Sequence, residues 1–188
     1  MPPNLLLNSL ERILNIIADW GVSPVIAGGL AVSYWGHPRS TRDIDLAILV
    51  FDLEQFEFRL RAVNLVPAKQ RHTSDLGFVR VSQWKMPVHE AFIDIEIDFL
   101  ISNSEYHKAA IENSKDCDLP GTGSAMRVLQ CEDLLLFKAK SGRLIDLADI
   151  DVLLELHRDN LNIEYLKLWS VKLGLDPARW TKSQSMGS

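Results

Sequence analysis

The sequence predicts an α+β fold, with a strand-rich first part and a helical C-terminal part. Three observations predict it. From Ala91 to Ser102 the chain alternates strictly, Ile93, Ile95 and Ile97 on one side against Asp94, Glu96 and Asp98 on the other, which reads as a half-buried strand. Leu6, Leu10, Ile13, Leu14 and Ile17 recur at helical spacing before a stop at Gly21. The run from Asp116 to Ser124, with Pro120, Gly121 and Gly123, is the strongest loop signal in the chain and divides the strands from the later helices.

In order, the first twenty residues form the amphipathic helix, and Pro24 to Ala27 a short apolar strand ending at Gly28 and Gly29. Leu30 to Trp35 reads as a short helix that Gly36 and Pro38 break, Asp43 to Val50 as a strand with an apolar end, and Asp52 to Ala62 as a helix. A strand over Phe78 to Trp84 precedes the alternating one. After the loop come a short strand at Met126 to Leu129 and helices over Glu132 to Ser141, Asp146 to Arg158 and Ile163 to Leu173. This organises the chain as a core of residues 1–115 and a mainly helical part, 116–188, packed on it as a second unit or as one continuous domain. The closing Ser183-Gln184-Ser185-Met186-Gly187-Ser188 is polar and expected to fray.

A length of 188 residues, 47% hydrophobic and 24% charged, suits a folded globular chain and not a disordered or fibrous one. The net charge of −5 argues against coating nucleic acid by bulk electrostatics, so a nucleic-acid partner must be gripped locally. Cys117 and Cys131 make neither a disulfide framework nor a metal cluster, and the N-terminus lacks a basic, cleavable leader, so a cytoplasmic location is expected. No apolar run approaches the roughly 20 residues that span a bilayer, so no membrane partner is expected.

The chemistry concentrates after the glycine pair. Thirteen residues separate Gly29 from Asp43-Ile44-Asp45-Leu46, and side-chain alternation puts Asp43 and Asp45 on one side of the strand with Ile44 and Leu46 toward the core. Two such carboxylates suit a pair of divalent cations on a phosphate ester. Asp94, Glu96 and Asp98 share a strand face, where like charges repel unless a cation or basic groups sit opposite. Asp98, nearest the strand's C-terminal end, is the expected third ligand, with Glu96 as the substitute. The polar loop His37-Pro38-Arg39-Ser40-Thr41-Arg42 sets two guanidinium groups beside these carboxylates, and their forks suit a triphosphate. His37 reads as a loop residue. Read from the residues alone, Asp146 caps a helix with Asp149 at its third position, and Lys138 is a solvated helix charge. Trp169 and Trp180 read as core packing. Carboxylates alone would also suit a metal-dependent nuclease, which leaves the glycines unexplained.

Ala27-Gly28-Gly29, the thirteen-residue spacer and Asp43-Ile44-Asp45-Leu46 together resemble the signature of the minimal nucleotidyltransferase superfamily. Within it, Arg39 to Asp45 and Lys138 to Ile150 are similar to the Arg-x-Thr-x-Asp-h-Asp and Lys-xxxx-Arg-xx-Asp-xx-Asp-Ile stretches of AbiE-type (AbiEii-like) toxin nucleotidyltransferases and their relatives. The resemblance spans about Pro24 to Leu156 and implies a polymerase-beta-like fold, a mixed sheet flanked by helices. It implies transfer of a nucleotide from an NTP with Mg²⁺ or Mn²⁺ held by Asp43, Asp45 and Asp98. It raises Lys138, Arg143, Asp146 and Asp149 to nucleotide or acceptor contacts, alongside Gly28, Gly29, Arg39, Thr41 and Arg42. Relatives often carry Lys-Asp where this chain has Ile145-Asp146. The implied acceptor is tRNA or another RNA, a protein or a small molecule, and an antitoxin is the implied protein partner. A catalytically silent nucleotide-binding module or a partner-binding protein is the alternative.

Overall fold

The computed structural model describes residues 3–69, 72–75, 77–88, 92–118 and 126–181. Among these, eight strands form one mixed sheet. They are β1 (Val25–Ile26), β2 (Asp43–Ile48), β3 (Val66–Pro67), β4 (Thr73–Asp75), β5 (Arg80–Val88), β6 (Ile93–Ile101), β7 (Lys115–Cys117) and β8 (Met126–Val128). The order is β3-β5-β6-β2-β1-β8-β7, with β4 also on β5. The β2–β6 and β1–β8 pairs are parallel and the others antiparallel.

The two central strands fix the two faces. Ile44, Leu46, Ile48, Ile95, Ile97 and Phe99 are buried on one face. There α1 (Pro3–Ala18) and α3 (Leu53–Ala62) cover them: Phe56 meets Phe99 edge-on at 5.1 Å, and Trp20, just beyond α1, meets Phe56 at 5.8 Å. The stripe Leu6, Leu10, Ile13, Leu14 and Ile17 is buried as its spacing predicts. The opposite face carries the carboxylates and meets α5 (Cys131–Ser141), which is followed by α6 (Leu144–His157) and α7 (Ile163–Leu173).

Several expectations shift. The glycine pair does not lie between strand and helix: α2 (Gly28–Tyr34) begins at Gly28 itself, two residues ahead of the expected start. The strand placed at Phe78 to Trp84 is β5, which runs through Lys85 and Pro87; Pro87 lies beyond the part of β5 that β3 and β4 cover, where a missing N–H costs no ladder bond. Asp52 is the cap of α3 and not its first residue, its Oδ1 accepting from Gln55 N at 2.9 Å. Asp146 is no cap: α6 starts at Leu144 and Asp146 sits in its first turn, its carboxylate taken by cations. The expected loop begins in β7, which holds Asp116 and Cys117 and also the 115/116 boundary, while residues 119–125 lie outside the described residues. Ala91 and the polar tail after Thr181 lie outside them too. Sequence periodicity passed over α4 (Glu105–Glu112), capped by Ser104 on His107 N, and the short β3, β4 and β7.

Trp169 and Trp180 are core residues, Trp180 Nε1 donating to Ser170 Oγ at 2.6 Å. Both cysteines are buried and free. No helix among the described residues is long and apolar enough to cross a membrane.

Candidate active site

The parallel pairing of β2 and β6 brings the two acidic motifs level, Asp43 beside Glu96 and Asp45 beside Asp98. Pleating then puts all four side chains on the same face. Asp43, Asp45 and Asp98 are partly buried; Glu96 and Asp94 are exposed. Register alone thus sets Asp98 nearer Asp45 than Glu96 is. Asp45 and Asp98 line one wall of a cleft of about 450 Å³.

Each inner carboxylate has its own neighbour. Thr41 Oγ1 donates to Asp43 Oδ1 at 2.6 Å. Gln83, on β5 opposite Asp98, donates its side-chain N–H to both Asp98 oxygens, at 3.2 and 3.0 Å. Gly28 packs against Asp45 so closely that a Cβ would run into that carboxylate, and its φ of +53° suits glycine. A Cβ on Gly29 would come within 2.6 Å of Thr41 Oγ1 and 3.3 Å of Arg39 Nη2. The glycine pair therefore lets α2 sit directly on the Asp45 side chain and on the 37–42 loop.

Burial, then the negative charges of Asp43 and Asp98, push the Asp45 carboxyl up to about 7, while Arg143 and Lys138 pull the other way. Burial also raises Asp98, with Gln83 opposing and Asp43 and Glu96 adding to it. Lys69, close enough to favour the Asp98 anion, and Lys85, 4.0 Å from Asp94, supply basic groups opposite the acidic face.

Lys138 is not a solvated charge. It follows Leu134-Leu135-Leu136-Phe137 on α5, a helix enclosed nearly all round, and is only 4% exposed. Its Nζ lies 3.0 Å from Asp146 Oδ1 and 2.6 Å from Asp149 Oδ2. Arg143 Nε donates to Asp146 Oδ2 at 2.7 Å. Burial would raise Asp146, yet its hydrogen bonds from Arg143, Ser141 and Lys138 hold it below the usual carboxylate range. Arg39 Nε stands 3.2 Å from Asp149 Oδ1 without hydrogen-bond alignment, and His37 Nε2 stands 3.7 Å from the same oxygen. Three fixed cations, Lys138, Arg143 and Arg39, thus face Asp146 and Asp149, and Lys138 and Arg143 also act on the Asp45 charge. Arg42 is exposed and makes no ion pair or hydrogen bond among the described residues.

Lys138, Arg143 and Asp146 line the cleft with Asp45, Asp98 and Gly28, while Arg39, Thr41 and Asp149 support it from behind. The far end is apolar, built by Phe78, Val81, Leu100, Leu134 and Phe137. Sequence reasoning missed Gln83 and these apolar residues, because they meet the carboxylates only through the β5–β6 register and the packing of α5. The run of four apolar residues before Lys138 was a usable signal: a helix without a polar face buries whatever follows.

The donor set is all oxygen, which suits a hard cation. Among the described residues no three His, Cys, Asp or Glu side chains stand close enough to form a metal cage by themselves. Mg²⁺ needs none, since it is commonly held by one or two carboxylates together with substrate phosphates.

No protein-family profile and no curated protein sequence matches the chain. Solved structures do. A protein described as a candidate nucleotidyltransferase from H. pylori superposes with a TM-score of 0.54 at 18% identity, over 96% of this chain and 80% of that one. ANT(2″)-Ia, solved in complex with adenylyl-2″-tobramycin, gives 0.53 at 13% identity over 89% and 96%. A candidate nucleotidyltransferase from Thermotoga maritima gives 0.52 at 18% over 82% and 96%. The chain has the nucleotidyltransferase fold.

Proposed function

We propose that this protein is a nucleotidyltransferase that moves a nucleoside monophosphate from an NTP to an acceptor hydroxyl and releases pyrophosphate. The supporting observation is the level pairing of Asp45 with Asp98 across two parallel strands, in a cleft that Gly28, Lys138 and Arg143 also line. Asp43 and Asp45, with Asp98 beside them, are the groups that would hold Mg²⁺ or Mn²⁺, which when bound would neutralise charge on the phosphates.

The triphosphate fits beside Lys138 and Arg143, the cations of the cleft lining, and Arg42 is a further exposed guanidinium on the loop that precedes Asp43. The base fits the apolar end against Phe78, Val81, Leu134 and Phe137. The acceptor oxygen bonds to the α-phosphorus as the bond from that phosphorus to the pyrophosphate oxygen breaks. Asp98, the carboxylate that lines the cleft beside Asp45, is the group that takes the hydroxyl proton. Arg39, Thr41 and Asp149 act by holding the 37–42 loop and Asp43 in place.

The acceptor divides into arms of one experiment. The likeness to ANT(2″)-Ia argues for a small polyhydroxylated molecule, and the AbiE-type resemblance argues for tRNA or another RNA, in a toxin role with an antitoxin as partner. The purified protein is incubated with each α-labelled NTP and Mg²⁺ together with total RNA, tRNA, its own chain or an aminoglycoside. Label on one acceptor, lost in Asp45→Asn, is expected. Absence of label on every acceptor, with folded protein and bound nucleotide, would overturn the proposal.

A further inference from the structure

We propose that Gln83 is the positioning residue of Asp98, an inference that rests on the transferase reading of this cleft. The Gln83 side-chain nitrogen lies 3.2 Å from Asp98 Oδ1 and 3.0 Å from Oδ2. A carboxylate accepts only, so the amide must turn its N–H₂ toward it, and one nitrogen within reach of both oxygens fixes the direction in which the group points.

The backbone of Gln83 is held from the edge away from β6. Its N–H donates to His72 O at 2.7 Å, its C=O accepts from Ala68 N at 3.0 Å, and it sits opposite Asp98 in the β5–β6 register. Gln83 is therefore presented by two backbone bonds on one edge and by its register opposite Asp98, neither of which involves the substrate. Thr41 serves Asp43 and Gly28 confines Asp45, so Gln83 completes the set: each inner carboxylate is held by a different element. Asp98 can then face the acceptor oxygen in one orientation without losing entropy during the reaction.

The test compares wild type, Gln83→Met and Gln83→Glu in transfer kinetics, and measures Tm for Gln83→Met with Asp98 present and in an Asp98→Ala background. Methionine keeps the length and removes the donor; glutamate removes the donor and adds a like charge. The expected result is a loss of kcat of roughly 10- to 100-fold for Gln83→Met, with KM for the NTP nearly unchanged and a larger loss for Gln83→Glu. Gln83→Met should lower Tm only while Asp98 is present. Wild-type kcat in Gln83→Met, a rise in KM with kcat kept, or the same Tm loss in both backgrounds would overturn the inference. If the wild-type protein transfers no nucleotide, the transferase reading fails by itself, and the two Tm differences still decide whether Gln83 holds Asp98.

Discussion

Gly28 shows how little room a single residue has at this site. Its positive φ and its approach to Asp45 leave no space for a Cβ, so Gly28→Ala must push the carboxylate aside or shift α2. Loss of transfer together with a lowered Tm is expected, read by kinetics and thermal melting. Lys138 is held by two buried carboxylates, and Lys138→Met strands both charges beside each other. A loss of about 3 kcal/mol in urea unfolding is expected, at the lower end for a broken buried pair because Arg143 and Arg39 stay. Asp133 behaves oppositely. It is fully buried, with Oδ1 accepting from Tyr165 at 2.8 Å and Oδ2 unpartnered, and burial pushes its carboxyl up to about 7. The folded protein then keeps a proton that the unfolded chain releases near 4, so this group's contribution falls as pH rises from about 4 to about 7. Asp133→Asn should be more stable than wild type at pH 8 and lose that advantage at pH 4, as compared by Tm at the two values.

At the scale of elements, what the sequence made legible was whatever one face of one element determines. The alternation of Ile93 to Phe99 and of Asp43 to Leu46 identified β6 and β2, and the apolar stripe of Leu6 to Ile17 identified α1. What it did not reveal depends on pairing. β3, β4 and β7 have only two or three residues each, too few for a period to register, and exist because β5 and β8 offer partners. Asp146 read as a cap because a carboxylate early in a helix usually is one; only the approach of α5 to α6 reveals Lys138 as its partner. The link from α6 to the 37–42 loop carries its own prediction. In Asp149→Asn, Arg39 loses its counter-charge and His37 a carboxylate neighbour, so the loop loosens and Thr41 holds Asp43 less well. A higher KM for Mg²⁺ is expected with a lower Tm, and an unchanged metal dependence would show that Asp149 serves stability alone.

Across the whole molecule, the parallel β2–β6 pair separates two jobs by face. One face is an apolar core closed by α1 and α3; the other gathers like charges that oppose folding, with Asp45 raised to about 7 as the clearest sign. That separation is why Asp45→Asn should raise Tm at pH 8 even as it removes activity. The mixed sheet and the helices flanking it follow the family resemblance of the two motifs, whereas the cleft itself could not be read in advance, because its apolar end comes from β5 and α5, far apart in sequence.

The most direct test of the account is the product released from an NTP in the presence of Mg²⁺ and the identified acceptor, by wild type and by Asp45→Asn shown to be folded. The account predicts pyrophosphate, equal in amount to the nucleotide transferred, from wild type and none from Asp45→Asn. Orthophosphate as the product, or pyrophosphate release that survives Asp45→Asn, would contradict it.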